Sequence, residues 1–146
     1  MGIQWSEGMM IGHPVLDAEH NAIIQKINDF ETLIECCSER TFLAQQYGDI
    51  VDCLSDHFIR EEQIMTAAKY PDAERHTFDH GNLFTKLTDM TLLIENNDPD
   101  IESVILEFLH KWFFGHVMAL DKAFVEYLVS HSKAPCIETQ VGSQIQ

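Results

Sequence analysis

Basic residues are scarce in this chain: 9 Lys and Arg stand against 24 Asp and Glu, a formal charge of −15 over 146 residues. Nucleic acid and anionic membrane surfaces both call for clustered Lys and Arg, so neither is an expected partner. No apolar run approaches the roughly 20 residues that span a bilayer. The opening MGIQWSEGMM has neither a basic n-region nor an apolar h-region, so no secretory signal is expected. The four cysteines, Cys36, Cys37, Cys53 and Cys136, include no CxxC pair. That argues against a structural zinc site or a thioredoxin-like motif. It favours free, inert thiols in a reducing compartment, hence a cytoplasmic protein. Useful strand-like alternation and internal repeats are also missing. What remains is 45% hydrophobic residues, enough for one packed domain.

Helical periodicity fills that domain. Residues 1–16 read as an arm, punctuated by Gly8, Gly12 and Pro14, with Trp5 as its anchor. A first helix is expected over about 17–39, its stripe running His20, Ile23/Ile24, Ile27, Phe30, Ile34. A second, over about 41–69, has Leu43, Tyr47, Ile50, Leu54, His57, Glu61 and Ile64/Met65 on one face. Tyr70-Pro71 ends it, because a residue before proline disfavours the helical region. The third, about 71–95, opens at Pro71-Asp72 and carries His76, His80, Leu83, Leu87, Met90 and Ile94. Asn96-Asn97-Asp98-Pro99 reads as a stop, an N-cap and a proline at the first helical position. The fourth, about 99–130, carries Ile101, Ile105, Phe108, Trp112, His116, Ala119 and Ala123. Residues 132–146 read as a tail or linker. Four amphipathic helices with short connections predict an all-α, up-down-up-down antiparallel four-helix bundle.

The polar residues on the inward stripes are the unusual feature. A lone histidine on an apolar face is ordinarily a hydrogen-bonded core residue. Here five histidines and a glutamate from four helices would crowd one small core, and a metal site satisfies them together. His57 and Glu61, and His76 and His80, are spaced by four, so each pair shares a helix face. Five imidazoles exceed what one tetrahedral zinc uses, so two metals with bridging carboxylates fit better. Glu61 offers one bridge. Asp121, five after His116, is a candidate for the second. Spacing alone makes it a surface residue, since five residues turn an α-helix by about 140° beyond a full circle. A local π-type widening is the alternative that would bring it in. A ferritin-like arrangement wants two ExxH motifs; only Glu107/His110 fits, and it lies off the stripe. His13, His110 and His131 fall outside the pattern and are expected to be surface or structural.

The set HxxxE (His57, Glu61), HxxxH (His76, His80) and HxxxxD (His116, Asp121), preceded by His20 in LDAEH, resembles the hemerythrin family. HFIREEQIM, the YP before the third helix and WFFGHVMALD are similar to its bacterial members, and the resemblance covers about residues 5–130. It implies two non-haem iron ions with an oxo or hydroxo bridge and dioxygen as ligand. By position, His76, His80 and His116 would hold one iron. His20 and His57 would hold the other, with an open position, and Glu61 and Asp121 would bridge. Phe58, Trp112 and Met118, with Leu83, would wall the dioxygen pocket. The implied role is reversible dioxygen binding, as a carrier or store or as the oxygen- or redox-sensing input domain of a larger signalling protein. In that case a fused output domain, such as a diguanylate cyclase or chemoreceptor, would be the partner. A di-iron oxidoreductase acting on peroxide or nitric oxide is the alternative of a different class. The domain itself is expected to be no enzyme, and a monomer or weak homo-oligomer.

Overall fold

A computed structural model describes residues 2–36 and 39–131. Cys37, Ser38, Cys136 and the rest of the expected tail lie outside the described residues. Four helices follow a short 3-10 turn at Glu7–Met9: α1 (Pro14–Cys36), α2 (Arg40–Ala68), α3 (Ala73–Glu95) and α4, which begins as Ile101–Trp112. α4 continues without a break through a π-wound segment, Phe113–Asp121, and returns to α-helix over residues 122–131. The helices pack in a ring, α1 on α2, α2 on α3, α3 on α4 and α4 on α1. This is an all-α four-helix bundle, with no strand among the described residues.

The helix ends correct several expected boundaries. α1 begins at Pro14, not Asp17, because proline suits a first helical position. His13 helps, its Nδ1 accepting from the Leu16 amide at 3.3 Å. The Asp17 carboxylate instead lies inside the first turn and reaches back to the amides of Ile11 (2.8 Å) and Gly12 (3.2 Å). Gly12 sits at φ +100°, a conformation that favours glycine. Neither Pro71 nor Pro99 opens a helix; α3 starts at Ala73 and α4 at Ile101. The reason is how the preceding helices stop. α2 ends with Lys69 left-handed, the Tyr70 amide donating to Met65 O and the Lys69 amide to Thr66 O. α3 ends the same way through Asn97, with Asp98 N to Leu93 O and Asn97 N to Ile94 O. These paired bonds make a Schellman closure, which uses up the residues before each proline.

Two apolar clusters hold the bundle. The larger contains Ile24, Ile27, Phe30, Tyr47, Leu54, Leu87, Ile105 and Phe113, with the arm's Ile3 buried in it and Trp5 packed against it. The smaller, at the opposite end, joins Ile11, Leu16, Met65, Phe124 and Val125. Asn28 ties the arm down, accepting from the Ile3 amide at 2.8 Å and donating to its carbonyl at 2.7 Å. The inward stripes of α1, α2 and α3 follow the periodicity in the sequence. In α4 the stripe changes course: Ala119 and Ala123 are exposed, while Val117, Asp121, Phe124 and Val125 are buried. The π winding causes this, since more residues per turn rotate everything downstream.

Candidate metal centre

A layer of polar side chains lies between the two apolar clusters. His20, His57, Glu61, His76, His80, His116 and Asp121 are all buried, with Glu61 and Asp121 at 0% exposure. α1 brings His20 near its start, α2 brings His57 and Glu61 near its end, and α3 brings His76 and His80 from its first two turns. α4 brings His116 and Asp121 on its π-wound segment. Asp121 is therefore not the surface residue that α-helical spacing predicts. In a π-helix the repeating bond runs from i to i+5, so residues five apart fall on one face.

The donor atoms sort into two overlapping groups. One joins His76, His80, His116, Glu61 and Asp121; the other joins His20, His57, Glu61 and Asp121. The two carboxylates belong to both, each through a different oxygen. Asp121 Oδ1 lies 2.9 Å from His76 Nε2 and 3.0 Å from His116 Nε2, whereas its Oδ2 lies 3.1 Å from His20 Nε2. Glu61 Oε1 lies 3.0 Å from His76 Nε2 and 3.1 Å from His80 Nε2, with Oε2 3.8 Å from His57 Nε2. Five donor atoms thus converge on one point and four on a second, with both carboxylates spanning the gap.

Hydrogen bonding alone does not account for this packing. His57 Nδ1 is 2.9 Å from Glu19, His80 Nδ1 is 2.9 Å from Glu62, and His116 Nδ1 is 2.6 Å from Asp79. An ionised carboxylate only accepts, so each of these Nδ1 atoms carries a proton. In the neutral tautomer, Nε2 is then a bare lone pair. Yet His80 Nε2 and His116 Nε2, the inner nitrogens of two rings whose outer nitrogens are both tied to carboxylates, are 3.1 Å apart. Lone pairs at that separation repel unless a cation draws them together. Both Glu61 oxygens are buried without a well-directed hydrogen bond, although imidazoles lie beside them. With bonds of about 2.1 Å to a metal, neighbouring donors sit about 3.0 Å apart around an octahedron and about 3.4 Å apart around a tetrahedron. The spacings around Glu61 Oε1 and Asp121 Oδ1, 2.9 to 3.1 Å, are near the octahedral value, whereas His57 Nε2 stands 3.8 Å from both carboxylates; a histidine-carboxylate donor set suits iron or manganese.

The metal-free protein meets the same strain by protonation. Burial pulls the His57 imidazole down, but Asp121, Glu19 and Glu61 outweigh it and raise its pKa to about 9. Burial also opposes the charge on His76, and Asp121 and Glu61 again prevail, raising it to about 9. Burial pushes the Asp121 carboxyl up, yet bonding to His116, His20, His57 and His76 holds it well below the usual carboxylate range. Glu61 is lowered likewise, burial being overcome by His76 and His80. The two buried carboxylates thus favour positive charge at this point of the core, the same attraction that a cation would feel.

Aromatic rings line the layer. Phe58 stacks on His80 with centroids 4.2 Å apart, and Trp112 stacks on His116 at 5.8 Å. Leu83 and Met118 are half-buried and pack against the larger cluster. His13 is the α1 cap described above. His131 is exposed and stacks on Tyr127, and His110 is half-buried away from both donor groups. Sequence reasoning missed Glu19, Glu62 and Asp79, which take the outer imidazole nitrogens. Each adjoins a metal-capable residue in sequence, which is the one signal that could have marked them. It also missed Phe113, edge-on to His20 at 6.1 Å.

Among proteins of known kind, this chain is similar to a bacteriohemerythrin of Stenotrophomonas maltophilia (strain R551-3). The two are 25% identical over 138 residues, 94% of this chain and 89% of the relative. A bacteriohemerythrin of Ralstonia nicotianae is 26% identical over 126 residues, covering 86% of this chain and 88% of the relative. A myohemerythrin of Theromyzon tessulatum is 21% identical over 118 residues, 81% and 87% of the two chains. Residues 12–128 match the hemerythrin HHE cation binding domain, a span that takes in all four helices and every residue of the buried polar layer. The chain belongs to the hemerythrin family.

Proposed function

We propose that this chain binds dioxygen reversibly at a non-haem di-iron centre. The observation that carries the reading is the sharing of Glu61 and Asp121 between a three-histidine and a two-histidine group. His76, His80 and His116 would hold one iron, His20 and His57 the other, and the two carboxylates would join them. The five-donor group leaves one place in an octahedron and the four-donor group leaves two. The two-histidine group, with one donor fewer, is the side on which dioxygen would find room. The iron pair would supply the electrons that make dioxygen binding favourable. The chain's own part is to fix the donors and keep bulk water away. Phe58 and Trp112, packed on the imidazoles, serve that end, with Leu83 and Met118 extending the wall. The role is binding rather than turnover, and relatives named bacteriohemerythrin and myohemerythrin support it.

Anaerobic loading with Fe(II), followed by air, tests this reading. Two irons per chain and charge-transfer bands that fade on deoxygenation are the expected results. A single iron, or a preference for zinc, would overturn it. The lifetime of the oxygenated form then separates uses: a carrier or store keeps it long, and a sensing input domain loses it quickly to oxidation.

A further inference from the structure

A line of aromatic rings leads from the donor layer to the surface. The Phe124 ring stands edge-on to His76 with centroids 6.3 Å apart. Tyr70 lies 4.9 Å from Phe124, Tyr127 lies 5.1 Å from Tyr70, and the exposed His131 stacks on Tyr127 at 3.9 Å. Tyr70 belongs to the turn between α2 and α3, whereas Phe124, Tyr127 and His131 lie on the last turns of α4. The packing that closes the smaller apolar cluster therefore also aligns two phenols between the metal layer and solvent. The Tyr127 hydroxyl makes only long contacts, 3.4 Å to Ala68 O and 3.3 Å to Lys69 O. Both phenols are only half-buried, so water can take their protons.

We propose that Tyr70 and Tyr127 form an outlet that carries oxidising equivalents away from the metal layer to the surface beside His131. The proposal rests on the di-iron reading above. Hydrogen peroxide is the oxidant it answers. The O–O bond breaks, and the two oxygens leave as two waters after gaining two electrons and two protons. Each phenol, Tyr70 and Tyr127, gives up one electron and one proton and becomes a neutral phenoxyl radical. Electrons tunnel inward from Tyr70 past the Phe124 ring, which is not itself oxidised, and from Tyr127 to Tyr70, and the phenolic protons leave through solvent, balancing those consumed at the peroxide. An external one-electron donor of the thiol or ene-diol class then restores each phenol. The outlet spares the imidazoles and the Met118 thioether, which a retained oxidant would attack.

The test uses the iron-loaded chain, its metal content measured first, treated with hydrogen peroxide and frozen quickly for electron paramagnetic resonance. Tyr70→Phe and Tyr127→Phe keep the rings and their packing and remove only the phenols. The wild type should give a tyrosyl signal and accumulate oxidised Tyr127 in peptide mass spectra. The double variant should lose the signal and shift oxidation at least several-fold toward Met118 and the histidines. An unchanged signal in the double variant, or the same oxidation map in both proteins, would overturn the outlet while leaving the di-iron reading intact. A chain that takes up no iron overturns both, and the metal count shows it before any radical is sought.

Discussion

His116 and Asp121 stand five residues apart in the chain, yet their side chains meet, Nε2 to Oδ1 at 3.0 Å. The π-wound segment Phe113–Asp121 makes that contact possible. It also gives Asp121 a place in both donor groups, whereas His20 belongs to one.

That difference predicts two stoichiometries. His20→Ala should keep the three-histidine group and bind about one ion per chain. Asp121→Ala, which strips a donor from both groups, should fall below that. Metal analysis after desalting distinguishes the two. Equal metal content in both variants would rule out the shared role of Asp121.

Asp79 Oδ2 accepts a hydrogen bond from His116 Nδ1 at 2.6 Å, and Asp79 is itself partly exposed. Asp79→Asn should leave helicity intact and weaken metal binding about 10–100-fold, the usual cost of losing a carboxylate that orients a ligating imidazole. Competition against a chelator of known affinity measures it. An unaltered affinity would show that packing against Trp112 alone fixes the ring.

Loading should release protons. His57 and His76 have pKa values of about 9 in the metal-free protein, so at pH 7.5 both are protonated and must lose those protons to bind. About three protons per chain should appear in a weakly buffered titration, two from the imidazoles and one from the water that becomes a hydroxo bridge, falling toward one above pH 9. The stability of the metal-free protein follows the same groups. Their folded pKa values exceed the unfolded value of about 6.5, so the stabilisation they confer is complete below pH 6.5 and lost as pH rises through about 9. Asp121 acts at the other end: its lowered pKa gives stability present above about pH 4 that disappears on further acidification. Thermal midpoints of metal-free protein across pH should show both flanks.

Asn28→Ala removes both bonds to Ile3 and should free the arm without disturbing the bundle. Two lost hydrogen bonds cost about 1–3 kcal/mol locally. Limited proteolysis before Gly8 should accelerate, with helicity by circular dichroism unchanged. A global loss of stability instead would mean that the arm is integral to the core.

Much of this was legible in the chain. The stripes through Tyr47, Leu54 and His57 on α2, and through His76, His80 and Leu87 on α3, repeat at helical spacing and are buried as that repeat requires. Periodicity assumes one winding throughout, so it could not place Asp121, Phe124 or Val125. The π segment rotates them by an amount that no residue type announces. The prolines misled for a related reason. Pro71 and Pro99 look like helix openers, but the left-handed residues Lys69 and Asn97, which turn the chain just before them, carry no glycine to mark them. Glu19, Glu62 and Asp79 were invisible as partners because each turns sideways from its own helix to a neighbouring one. Only the assembled bundle says which neighbour that is.

The polar layer sits between two apolar clusters of unequal size, and the smaller one is built from the arm, the start of α1, the end of α2 and the tail of α4. Whatever fills the layer joins these parts across the molecule. A cell short of metal would then hold a looser chain, open to proteases where the last turns of α4 meet Ile11. Abundance of the protein would then track the supply of its own metal.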